Sequence, residues 1–118
     1  MKRNYYLIAV VALLFFLSCR GGEDNVIVPS GIIPPDTLVF VLADFHLVEA
    51  AVLEKQLQKA SPDPYANYYY QAIFDKYKIS RKRFNEAMVF YSSHPKLYRE
   101  TYDKVLEELS RMQTESMQ

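Results

Sequence analysis

Beyond Gly31 the chain contains no glycine, and Pro62, Pro64 and Pro95 each fall between stretches of helical apolar period. Proline interrupts helices and glycine serves tight turns, so a chain that keeps both out of its periodic stretches is confined to helices joined at a few breaks. The first helix is expected from about Asp36 to Gln58, with Asp36 as its N-cap. At 100° per residue, Leu38, Val41, Leu42, Phe45, Val48, Val52 and Leu53 share one face, and Phe40, Ala43, Leu47 and Ala51 form a second strip opposite. A helix apolar on two sides is expected to be buried by neighbours on both, as the hub of the fold.

Ser61-Pro62-Asp63-Pro64 reads as a turn, followed by a second helix from about Pro64 to Tyr77 with Tyr69, Tyr70, Ile73, Phe74 and Tyr77 on one broad face. The third helix starts at Ser80, a good N-cap, with Ile79 able to staple against Phe84 and with Phe84, Ala87, Met88 and Tyr91 inward. Pro95 opens a fourth helix, which carries Tyr98, Tyr102, Val105, Leu106, Leu109 and Met112 on one stripe. The expectation is an all-α fold, a compact array of about four helices over residues 34–113, with a tail at 114–118 that frays.

Upstream lies a different kind of sequence. Lys2 and Arg3 precede the unbroken apolar run Leu7 to Leu17, and Ser18 stands directly before Cys19. Charge, apolar core and small residue in that order form a secretory signal peptide, here residues 1–18. Eleven apolar residues at ~1.5 Å rise reach roughly 16 Å, about half of a ~30 Å hydrocarbon core. Phe16-Leu17-Ser18-Cys19 resembles a bacterial lipobox, in which the cysteine sulfur takes a diacylglycerol and the chain is cut before it. Cys19 is the chain's single cysteine and has no disulfide partner within it, so lipidation gives an exported thiol its reason. The alternative is an ordinary signal peptide with a leftover cysteine.

Residues 19–33 then read as the lipidated cysteine and a flexible tether, since Gly21, Gly22, Gly31 and Pro29 fall there without helical period. A short extended piece at Val26-Ile27-Val28 packing on the domain is the other reading. Removing Lys2 and Arg3 from 14 basic against 14 acidic residues leaves the mature chain about two charges acidic. That balance gives no drive toward nucleic acid.

The order of these elements is similar to a family of Bacteroidetes lipoproteins, domain of unknown function 4296. The residues that carry the resemblance are Pro34-Pro35, the run Leu42 to Ala50, Tyr70 to Phe74 with Tyr77, Phe84, Tyr91, His94-Pro95 and Tyr102 to Val105. The resemblance implies a lipoprotein of the outer membrane or cell surface. It implies no assigned reaction and carries no catalytic roles across.

Candidate chemistry centres on Asp44, His46 and Glu49. His46 and Glu49 are three apart and neighbours on the helix surface, and Glu49 projects into the Leu38, Leu42, Phe45 stripe. A carboxylate buried there needs a partner, either as a structural polar anchor or as part of a metal or acid–base site joined by His94. Two ligands on one helix fall short of the three that a catalytic zinc uses, so no metal is assigned. Asp44 points toward the polar side and is expected to be solvated.

Tyr65, Tyr68, Tyr69 and Tyr70 offer either core rings or a binding surface, with Tyr69 inward and Tyr68 the most exposed. Lys76, Lys78, Arg81, Lys82 and Arg83 make a basic corner with a helix–turn–helix look. An exported protein meets no genome, so the corner is read as solvated charge or as a contact for an anionic partner. There is no glycine-rich phosphate loop, cysteine ligand set or nucleophile elbow, and no cofactor is called for.

The first functional reading is a non-enzymatic, lipid-anchored scaffolding or interaction module of the cell envelope. It would be held in membrane lipid through acylated Cys19 and would dock an envelope protein. The alternative is a small-ligand, glycan or metal-binding lipoprotein using Asp44, His46, Glu49, Tyr68 and His94. An enzyme using Glu49 and His46 is the third. Glu49 discriminates: a scaffold satisfies it internally, whereas a site leaves it open to a cleft.

Overall fold

A computed structural model describes residues 2–17, 25–59 and 64–118. Cys19, residues 20–24 of the segment read as its tether and residues 61–63 of the turn lie outside the described residues. Five helices follow one another: α1 (Lys2–Leu17), α2 (Pro35–Lys59), α3 (Ala66–Tyr77), α4 (Arg81–Ser92) and α5 (Pro95–Ser116). The all-α expectation holds, with four helices, α2 to α5, after the N-terminal apolar one, and no strand among the described residues. Side chains of α1 are exposed through Leu13, and no helix among the described residues is long and apolar enough to cross a membrane.

Helix α2 is the hub, packing on both α3 and α5. Asp44 meets Lys76 and Tyr77, whereas Lys55 meets Tyr69, so α3 folds back antiparallel on α2. His46 faces Tyr102, whereas Asp36, Val39 and Phe40 share a groove with Glu108 and Arg111, so α5 also runs antiparallel to α2. The core lies between them: Leu38, Val39, Leu42 and Ala43 from α2, Ala87 and Tyr91 from α4, and Val105 from α5.

Local chemistry sets the joints. Lys78 ends α3 with φ 53° and ψ 42°, the left-handed conformation that glycine adopts without penalty. The reversal closes with Lys78 N donating to Asp75 O and Ile79 N to Phe74 O. Two residues later Ser80 caps α4, its hydroxyl accepting from Arg83 N at 3.1 Å. Pro95 opens α5 at its first position, where its missing N–H costs nothing.

Several expectations need correction. Helix α2 begins at Pro35, so Asp36 lies in its first turn rather than at its cap, 3.9 Å from Lys104. The second strip of α2 is not covered: Ala43 is buried, but Phe40, Leu47 and Ala51 face solvent because α3, α4 and α5 all occupy the other sides. On α5 Leu106 is exposed and Thr101 takes an interior place, its hydroxyl satisfied by Leu97 O at 2.8 Å. That helix also continues through residues expected to fray, to Ser116, with Arg111 paired to Glu108 and Glu115 on successive turns.

The core starts inside the segment read as tether. Ile33 is 1% exposed, and Val28 and Ile32 pack against the same core. Ile32 N donates to Pro29 O in a turn that brings this chain onto the helices. Ile27 is exposed between half-buried Val26 and Val28, the alternation of an extended strap with one face down. The extended-piece reading of Val26–Val28 therefore describes this stretch better than a free tether does.

Candidate functional site

A cleft of about 360 Å³ opens where α2, α3, α4 and α5 meet. Its floor is aromatic. Phe45 of α2 is stacked by Phe84 of α4 at 4.8 Å and by Tyr70 of α3 at 5.5 Å between ring centroids. Phe74 meets both Phe45 and Phe84 edge-on. Leu42 and Met88 complete the apolar lining. Phe45, Tyr70, Phe74 and Phe84 come from three helices and meet here, where ring pairs gain from offset and edge contacts.

The rim is polar and carries both signs of charge. On the α2–α5 side stand His46, Glu49 and Tyr102. His46 Nδ1 is 3.4 Å from Glu49 Oε2, and its ring meets Tyr102 edge-on at 5.9 Å. On the α3–α4 side stand Asn85 and Arg81, whose guanidinium lies over the Phe74 ring at 5.4 Å. Burial, then the hydrogen bond with the neighbouring Tyr98, pushes the Tyr102 phenol up to about 12, so it stays a neutral hydroxyl at physiological pH.

Glu49 is not the buried anchor expected. Its side chain is 56% exposed and stands at the mouth of the cleft. Glu49 takes the position in its stripe that opens onto the cleft, while Val52, a turn further on, is buried again.

Asp44 is likewise not solvated. Its side chain is 13% exposed and accepts from Lys76 Nζ at 2.7 Å and from Tyr77 Oη at 2.8 Å. The carboxylate raises the Lys76 ammonium above its ordinary range, chiefly through that hydrogen bond. Burial first, and then the bond to Asp44, raises the Tyr77 phenol. Asp44, rather than Glu49, is therefore the little-exposed carboxylate that ties α2 to α3. Accordingly, Asp44→Ala should cost about 1–3 kcal/mol in a denaturant melt, because Tyr77 loses its acceptor in a half-buried place. Glu49→Ala should stay within about 0.5 kcal/mol of the wild type.

The remaining candidates lie elsewhere. Tyr68 is the most exposed of its cluster, at 71%, and meets only the edge of Tyr69 among described rings. Tyr69 is half-buried and accepts from Lys55 Nζ at 2.8 Å. His94 sits at the α4–α5 joint, its Nδ1 2.7 Å from Phe90 O and its ring against Phe90, away from His46 and Glu49. Among the described residues, no three His, Cys, Asp or Glu side chains are grouped to hold a metal ion. Of the named candidates, the cleft brings together His46 and Glu49 and adds Arg81, Asn85 and Tyr102. In the sequence Arg81 belongs to the basic corner, and its i,i+4 spacing to Asn85 is the signal that the two share one face of α4.

A family profile described as a domain of unknown function (DUF4296) matches residues 29–115. The chain belongs to that family. The matched span takes in the Pro29 turn, Ile33 and all four packed helices, so the DUF4296 unit coincides with the core-forming part of the chain and contains every residue of the cleft. No curated protein and no solved structure matches the chain.

Proposed function

We propose that this DUF4296 domain is a lipid-anchored ligand-binding module of the cell envelope, exported by residues 1–18, tethered through acylated Cys19 and binding its ligand in the aromatic cleft. One observation carries the reading: Glu49 opens onto a cleft rather than being satisfied inside the core. A cavity of this size with an apolar floor and a few convergent polar groups is the usual form of a small-ligand site.

A second reading, docking of an envelope protein, is favoured by a separate feature. Phe40, Leu47 and Ala51 lie open along the back of α2, opposite the cleft.

Two substitutions test the proposal. Cys19→Ser should abolish acyl labelling and release the domain from membranes, and a mutant that stayed bound to the same degree would refute the anchor. Asn85 is exposed on the cleft wall, so Asn85→Tyr should fill the opening without unfolding the domain. Small molecules that co-purify with the full chain, read by native mass spectrometry, should be lost from that variant. Equal retention would place the ligand outside the cleft.

A further inference from the structure

We propose that the cleft binds a short peptide in its dipolar form, with the carboxylate toward Arg81, the ammonium toward Glu49 and a bulky apolar side chain on the ring floor between them. This rests on the ligand-binding reading of the same cleft. The two charges come from opposite sides: Glu49 beside His46 on α2, and Arg81 at the start of α4 over Phe74. They form no ion pair with each other, and no described carboxylate pairs with Arg81.

Unlike charges held apart across an apolar floor select a ligand that carries both charges. A fatty anion drawn to Arg81 would meet the Glu49 carboxylate as a like charge, and a lipophilic amine drawn to Glu49 would meet Arg81 in the same way. A peptide satisfies both and also brings amide groups that need partners. Asn85 and the Tyr102 hydroxyl supply them, the latter kept protonated by its surroundings.

Isothermal titration calorimetry of the full chain in detergent tests this with a tripeptide centred on phenylalanine, in free, N-acetylated, C-amidated and doubly capped forms. Each single cap should weaken binding by about 3–10-fold, the range for one exposed charge contact. In Arg81→Gln the amidated and free forms should bind alike, and in Glu49→Gln the acetylated and free forms should. Both side chains are exposed, so both variants should keep the wild-type melting temperature. If the doubly capped peptide binds as tightly as the free one, the dipolar assignment is wrong and the cleft reading stands. If the cap penalties persist in both variants, Arg81 and Glu49 are not the recognising groups. If no form binds the wild-type chain, the peptide assignment fails, and the cleft reading is then judged by whether Asn85→Tyr sheds co-purifying molecules.

Discussion

Tyr91→Ala should destabilise the domain by about 3–5 kcal/mol, enough to unfold much of a marginal domain of this size. Tyr91 is fully buried at the contact of α4 with α2 and α5, and its hydroxyl donates to Ile33 O at 2.9 Å. The alanine variant removes a ring from a packed interior and leaves a buried carbonyl without its donor. Tyr91→Phe separates the two effects, keeping the ring and losing only the bond, and should cost about 1–3 kcal/mol. Urea melts of both variants supply the check. Near-wild-type stability in Tyr91→Phe would mean that Ile33 O finds another donor.

The second large effect is alkaline unfolding. Burial pushes the Tyr91 phenol up to about 12, and Tyr102 rises to about 12 for the same first reason. The unfolded phenol ionises near its ordinary value of about 10. The native state therefore holds these protons more tightly than the unfolded chain does. Their contribution is fully present below about pH 10 and is lost as pH rises toward 12. For Tyr91 alone the loss is on the order of 2–3 kcal/mol. Lys76 and Tyr77, both raised around Asp44, act in the same direction. Circular dichroism followed from pH 9 upward should show cooperative unfolding alongside tyrosinate absorbance at 295 nm. Tyr91→Phe should flatten the pH dependence while lowering stability at neutral pH. Tyrosines that all titrated near pH 10 in a still-folded domain would contradict the burial argument.

How much of this was legible in the sequence depended on the range of the interaction. Ser80 and Pro95 announced helix starts because capping is settled within one turn, and α3 and α4 were short enough for one face to be the whole story. Glu49 failed because periodicity gives direction and not coverage: it lies in line with Leu38 and Leu42 but opens onto the cleft, while Val52 a turn further on is buried again. Leu106, expected inward on α5, is exposed, and Thr101 was passed over because a threonine whose hydroxyl bonds back to Leu97 O can sit in the interior like a small apolar residue. Asp44 failed for a different reason: its partners, Lys76 and Tyr77, lie 32 and 33 positions away on another helix, beyond any local pattern. The cleft needed four helices at once, so its residues were individually visible while their meeting was not.

The bond from Tyr91 to Ile33 closes a loop of 58 residues, and α2 pairs with α5 across most of the domain. No early fragment can therefore complete the core. While the chain is being synthesised, α2 can fold back on α3, but the side of α2 that rests on α5 stays open until α5 arrives. The order of assembly is thereby written into the topology: the last helix to leave the ribosome is the one that closes the interior, and a chain cut short before α5 has no finished state to fall into.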